Sequence, residues 1–247
     1  MSAPVIEAIE VVKFLGAGAG RVQALKGVSL SLTGGELVLL MGPSGSGKTT
    51  LLSVLGCMLS PTHGSVRICG HSTAGLGSEQ LAQLRRDHIG FVFQSYHLFP
   101  TLTAVDNVWL ALDVRGEHSH LAIAKATNAL ATVNLSHKIN AFPLELSSGE
   151  QQRVAIARAI VASPAVILAD EPTAALDSEN GQSIMSVLAQ IAKNSGRAVL
   201  VVTHDPRTLT FANRIVRIED GRIVSEEHGA STLTSMQTGQ PMSLTKP

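Results

Sequence analysis

Two textures of hydrophobic patterning alternate along the chain. Short unbroken apolar runs at 37–41, 166–169 and 198–202 lack polar alternation, as strands covered on both faces do. Longer stretches with helical periodicity at 48–58, 78–86, 103–133, 148–162 and 178–194 predict helices, and a short helix is expected after Pro206. Ser78 stands where a cap belongs, and Thr103 with Asp106 forms a capping-box variant. Residues 5–12, 22–32 and 89–93 read as further strands. Gly16, Gly18 and Gly20 lead into a strand rather than a helix, so they predict a hairpin connection and not a dinucleotide fingerprint. Glu219-Asp220-Gly221-Arg222 between 215–218 and 223–224 predicts a second hairpin. Strands alternating with helices imply an α/β fold. From Glu226 the chain turns polar, and a loose tail is expected over 226–247.

Composition narrows the function. A chain of 247 residues, 45% hydrophobic, is long enough for one domain with room for a subdomain. Nineteen basic and nineteen acidic residues cancel, which leaves no electrostatic footprint for nucleic acid and no polybasic anchor. The opening residues carry Glu7 and Glu10 and no basic, apolar leader, and no apolar run is long enough to span a bilayer. Any membrane role is therefore expected to come through a partner. Cys57 and Cys69 read as small hydrophobes of a reducing compartment rather than a disulfide, and His118 and His120 as part of a solvated loop.

The chemistry begins at Gly42-Pro43-Ser44-Gly45-Ser46-Gly47-Lys48-Thr49, which fits GxxxxGK[ST] between a buried strand and a helix. Glycines let backbone N–H groups turn inward on phosphates, and a helix N-terminus adds partial positive charge. Lys48 is placed for the β- and γ-phosphates, Thr49 for Mg²⁺, and Thr50 beside them. Alone, this pattern indicates a phosphate-binding NTPase of unspecified kind.

Further segments are more specific. The strand 166–169 ends in Asp170-Glu171, one acid placed to hold Mg²⁺ and the next to orient an attacking water. Leu146-Ser147-Ser148-Gly149-Glu150-Gln151-Gln152-Arg153 opens a helix about a hundred residues after the phosphate loop and resembles the LSGGQ signature of the ATP-binding-cassette (ABC) superfamily. Ala174-Ala175-Leu176-Asp177 resembles its D-loop, Val202-Thr203-His204-Asp205 its switch histidine, and Gln94 its Q-loop glutamine. The text around Phe93-Gln94-Ser95-Tyr96-His97-Leu98-Phe99 and Ala169-Asp170-Glu171-Pro172-Thr173 is most similar to MacB-like, lipoprotein-releasing and DevA-like ATPases of bacteria.

That resemblance implies a P-loop α/β core with an antiparallel β subdomain and a helical subdomain over about 95–162. It implies an ATPase with Glu171 as base, His204 and Lys48 as partners in catalysis, and Mg²⁺ held by Thr49, Gln94 and Asp170. Two copies would sandwich ATP head to tail, each offering Ser147, Ser148, Gly149, Glu150 and Asp177 to the other. A membrane permease would dock near 96–108, where Tyr96, Leu98, Phe99, Leu102 and Trp109 cluster. An exporter is implied, on the cytoplasmic face of the membrane, with a periplasmic adaptor and outer-membrane channel. A soluble or regulatory cassette is the alternative. The chain departs from the family pattern at Ser148, where glycine is usual and where serine is expected to cap the helix, at Glu150 and at Ala174. The adenine-stacking aromatic is expected at Phe14, with packing of the small sheet as its other reading.

Overall fold

The computed structural model describes residues 3–118 and 120–229. A six-stranded sheet forms its centre. Strands β3 (Leu37–Met41), β6 (Ile89–Val92), β7 (Val166–Asp170), β8 (Ala198–Val202) and β9 (Arg214–Glu219) run parallel, and β10 (Arg222–His228) pairs antiparallel with β9 at one edge. The order is β10-β9-β3-β8-β7-β6. Successive side chains of the apolar runs enter opposite cores. Leu37, Leu39 and Met41 pack into one, Val38 and Leu40 into the other. The same alternation divides Ile167 and Ala169 from Val166 and Leu168.

One core lies under a second, four-stranded sheet of order β2-β1-β4-β5, built from β1 (Ile6–Leu15), β2 (Val22–Leu32), β4 (His63–Ile68) and β5 (His71–Ser72). Helix α1 (Lys48–Leu55) buries Leu51, Leu52, Val54 and Leu55 in it. α2 (Ser78–His88) leads into β6. The other core lies under α3 (Ala104–Asp113), α4 (His120–Thr132), α5 (Ser148–Ile160) and α6 (Ser178–Ser195), with α3, α4 and α5 packed on one another.

The helical stretch expected over 103–133 is two helices, α3 and α4, separated where Gly116 adopts φ +80°. Thr103 and Asp106 do form the capping box of α3. Gly77, not Ser78, is the N-cap of α2, because Ser78 has already entered the helix. The strand β10 runs to His228, so the first residues assigned to a polar tail pair with β9, and positions 230–247 lie outside the described residues. Cys57 and Cys69 are free thiols, and burial pushes the Cys57 thiol up to about 11. His118 bonds Asp113 at 2.8 Å, while Ser119 beside it lies outside the described residues.

Candidate active site

Beyond Met41 the chain turns through residues 42–47 and enters α1. Gly47, the N-cap, holds φ +101°, and a Cβ there would stand 2.7 Å from the Ala24 carbonyl oxygen. Only glycine fits that conformation and that approach. Lys48 is largely buried and donates from Nζ to the carbonyls of Gly42 at 2.8 Å and Pro43 at 2.7 Å, so the loop curls around the ammonium. Ser46 Oγ is buried with no hydrogen-bond partner. An orphaned hydroxyl costs about 1–3 kcal/mol. A loop with a cation at its centre and a spare donor suits a polyphosphate, whose oxygens would satisfy both.

The ends of β7 and β8 complete the site. Thr49 Oγ1 lies 3.4 Å from Asp170 Oδ1. Burial raises the Asp170 carboxyl above its usual range, the Thr49 hydrogen bond lowers it, Glu171 raises it and Lys48 lowers it again. A desolvated carboxylate beside a hydroxyl is a fitting oxygen pair for a hard divalent cation. Glu171 adopts φ +48°, unusual for a side-chain-bearing residue at a strand end. Its N–H donates to the Val202 carbonyl at 3.0 Å, and its Oε1 lies 2.8 Å from Nδ1 of His204. A cavity of about 680 Å³ is lined by Gly42, Pro43, Ser44, Gly45, Gly47, Lys48, Thr49, Thr50, Gln94, Glu171 and His204 together. The phosphate clamp, Thr49 and the histidine-oriented carboxylate thus face one space, with Asp170 in contact with Thr49, and together these are the groups needed to activate water against a phosphoanhydride.

The chain is similar to known proteins over most of its length. Residues 25–174 match the ABC transporter family. The chain belongs to that family. It is 43% identical over 221 residues to the macrolide export ATP-binding/permease protein MacB of Shigella flexneri, and equally to that of Escherichia coli K12. These alignments span 90% of this chain but only 34% of the relatives, so it covers about a third of their length. The dimeric ATP-binding cassette MJ0796 bound to ADP and Pi is 43% identical, with a TM-score of 0.82 over 90% of this chain and 98% of that one. The cbiO1 protein of Clostridium perfringens, part of the cbiONQ ABC transporter complex, is 25% identical with a TM-score of 0.83 over 96% of this chain. The chain is an ABC ATPase.

Of the remaining ABC segments the signature lies off the cavity, and the D-loop borders it only through Ala174. Ser147, not Ser148, is the N-cap of α5. Its Oγ accepts from the Glu150 N–H, and Glu150 Oε2 accepts from the Ser147 N–H at 2.8 Å. That backbone bond holds the Glu150 carboxyl below its usual range, against a smaller opposing effect of burial. Ser148 is therefore the first helical residue, with its side chain exposed. Asp177 caps α6, accepting from the Asn180 backbone N–H at 2.9 Å and from its side-chain amide at 2.8 Å. A Cβ on Gly149 would meet that same Asn180 side chain at 2.7 Å. Signature and D-loop are thus packed together, yet none of Ser147, Ser148, Gly149, Glu150 and Asp177 lines the phosphate cavity.

Phe14 is not brought to the cavity either. It sits on β1 opposite Gln23 of β2, and the Arg21 guanidinium stands 4.1 Å over its ring. The next pair, Leu15 and Val22, lines the cavity, as does Gln23 across the ladder from Phe14. The Asp220-Gly221 turn, read only as a hairpin, also borders it. Lys26 binds Asp220 at 2.6 Å, and the Gly221 N–H donates to the Ser46 carbonyl at 3.0 Å. Nothing in the sequence signals that this distant turn braces the phosphate loop.

Proposed function

We propose that two copies of this chain close head to tail around two MgATP and drive a membrane permease of the exporting or extracting kind. The observation that carries this reading is the half-site. Lys48 and Glu171 line the cavity, whereas Ser147 to Glu150 and Asp177, the segments that the family resemblance gives to the partner's nucleotide, do not. The dimeric cassette MJ0796, similar over 90% of this chain, supports the same assembly. Thr49, Asp170 and Gln94 would hold Mg²⁺, which would supply positive charge against the phosphates. Lys48 binds and orients the triphosphate. Glu171 takes the proton of the attacking water, and His204 fixes its carboxylate.

A groove of about 410 Å³ lined by Phe91, Phe93, His97, Phe99, Val114 and Arg158 supports permease docking. Arg158 donates to the carbonyls of Tyr96 and His97, which follow Gln94 closely, so a shift at Gln94 would be felt in the groove. The export named for the MacB relatives supports the direction, with a periplasmic adaptor and an outer-membrane channel as further partners. Among the described residues no helix is long and apolar enough to cross a membrane, and the chain would sit at the cytoplasmic face through the permease.

Hydrolysis per chain should rise with protein concentration, because a lone copy lacks half of each site. Copurification from native membranes should return a permease. Turnover per chain that is independent of concentration refutes the sandwich. A cassette that returns no permease is a soluble or regulatory ATPase instead, and one that returns a binding-protein-dependent importer loses the exporter assignment alone.

A further inference from the structure

One side chain at the edge of the candidate site joins two of its loops and takes no part in the chemistry assigned so far. His204 follows β8 on a turn, its side chain is 72% exposed, and its Nδ1 lies 2.8 Å from Glu171 Oε1. A ring so open to water keeps one orientation only if the turn that carries it is held. Inside that turn the Asp205 N–H donates to Thr203 Oγ1 at 3.0 Å, and Thr208 Oγ1 donates to the Asp205 carbonyl at 2.7 Å. Those two bonds shape the turn but tie it to nothing outside. Among the described residues of 203–208, Arg207 is the one besides His204 whose side chain hydrogen-bonds another element.

We propose that Arg207 is a positioning residue for hydrolysis, fastening the turn that carries His204 to the first residue of α6, beside the D-loop. Its Nε donates to both Asp205 carboxylate oxygens at 2.9 Å, and its Nη2 lies 2.8 Å from Asp205 Oδ2. The remaining nitrogen, Nη1, donates to Ser178 Oγ. Ser178 opens α6 directly after its N-cap, Asp177. A guanidinium holds both partners at once because its donors fork in fixed directions, which an ammonium cannot copy. The Arg207 hydrogen bond also holds the Asp205 carboxyl below its usual range, so the clasp is ionised at neutral pH. Arg207 is exposed, and ion pairs at the surface add little to stability. Its contribution lies in placement.

α6 is held from another side as well. Arg153 of α5 donates to Ser183 Oγ at 2.9 Å, and a Cβ on Gly149 would meet Asn180 at 2.7 Å. Ser178 and Ser183 are about 1.4 turns apart and so lie on different faces of the helix. The start of α6 therefore stands between the signature helix and the histidine turn, fixed to each. In the proposed dimer, a shift of α5 on the partner's nucleotide would reach His204 through Arg207. Contiguous contacts are only a route, and a cycle of variants measures whether it is used.

The inference rests on Glu171 and His204 as the hydrolytic pair, and the test separates the two. Phosphate release by the full-length chain is measured over a range of MgATP at one protein concentration. The variants are Arg207→Ala, Ser178→Ala, both together, Arg207→Lys, His204→Ala, and His204→Ala with Arg207→Ala. Arg207→Ala and Ser178→Ala should each lower kcat by about threefold to tenfold, with KM for ATP within about twofold of wild type. Their melting temperatures should stay within about 2 °C of wild type. The two changes together should be no slower than Arg207→Ala alone, and Arg207→Lys should not restore the rate. His204→Ala should cost ~10² or more, and adding Arg207→Ala to it should change nothing further, because Arg207 acts through the histidine. Single variants within about twofold of the wild-type kcat overturn the inference, as do losses that multiply in either double variant. Full rescue by lysine also overturns it, since charge and not the bridge would then suffice. If His204→Ala itself turns over normally, the hydrolytic pair is misassigned and the inference falls with it.

Discussion

Replacing Glu171 by glutamine tests the chemistry with least disturbance to the fold. The change swaps one carboxylate oxygen for an amide nitrogen in a side chain of the same shape. Its contact with His204 is 2.8 Å and survives, since an amide donates or accepts as the histidine tautomer requires. The strand-end backbone bond from Glu171 to Val202 is untouched. Stability should therefore change by no more than about 0.5 kcal/mol, the range of substitutions that leave packing and hydrogen bonds in place. Turnover should fall by ~10²–10⁴, the usual value of a positioned general base, which is roughly 3–5 kcal/mol on the barrier. Lys48, Thr49 and Asp170 are intact, so ATP should still bind, and a closed dimer should accumulate because nothing discharges it. Phosphate release in a stopped assay measures the first effect. Light scattering with and without MgATP, at several protein concentrations, measures the second. Turnover within about threefold of wild type would show that Glu171 is not the base. Loss of both turnover and ATP binding would place it in the nucleotide's grip instead.

Lys48→Ala removes the ammonium around which the loop curls, and ATP affinity measured by calorimetry should fall by about tenfold or more, roughly 1.4 kcal/mol. Ser148→Gly should leave hydrolysis unchanged or modestly raised, because Ser147 and not Ser148 caps α5; an inactive wild type cured by this change would mean that Ser148 blocks closure. The depressed Glu150 carboxyl contributes stability that is present above its unfolded value of about 4.3 and lost as pH falls through the lower folded value. Glu150→Gln should cost only about 0.5 kcal/mol at neutral pH, since the group is largely solvated, and melting curves of variant and wild type should converge as pH falls through that lower folded value. Phe99→Asp should release a copurified permease and spare basal hydrolysis, whereas Leu98→Asp should destabilise the chain, because Leu98 packs on the core and Phe99 is half exposed. The reverse pattern would place the docking face elsewhere.

What could be read in the sequence followed the range of the interactions responsible. Strands β3, β7 and β8 were legible because burial on both faces leaves an unbroken apolar run. The phosphate loop was legible because its glycines, Lys48 and Thr49 act within a few residues of one another. Phe14 stayed open between a base platform and packing of the small sheet for a related reason. Its type and approximate position matched a platform, but the face it occupies depends on register with β2 across the glycine-rich turn, and a one-residue shift reverses every side chain. Ser148 was misread as a cap because Ser147 is an equally good one, and only the backbone of Ser147 is non-helical. The helical stretch over 103–133 was legible from its periodicity, but its division into α3 and α4 turns on Gly116, a single residue with φ +80°.

Contacts between distant segments left no local trace, and these bear most on how the site works. In the proposed dimer the first turn of α5 faces the partner's nucleotide through Ser148, Gly149 and Glu150. Arg158, three turns along the same helix, holds the carbonyls of Tyr96 and His97 at the rim of the groove proposed for the permease. Ten residues of helix separate the two ends, about 15 Å at 1.5 Å per residue. A packed helix moves as a body, so closure on ATP at Ser148 cannot leave Arg158 where it was. Tyr96 and His97 hold φ of +56° and +50°, a backbone shape that the guanidinium stabilises through those carbonyls. Gln94, which lines the phosphate cavity, enters the same loop from the other side. The loop is therefore held at one end by Gln94 at its own nucleotide site and at the other by Arg158 of a helix that, in the proposed dimer, would report on the partner's. In the proposed assembly, movement of the groove would then follow both nucleotides, and the loop from Gln94 to His97 would be the element on which coupling depends.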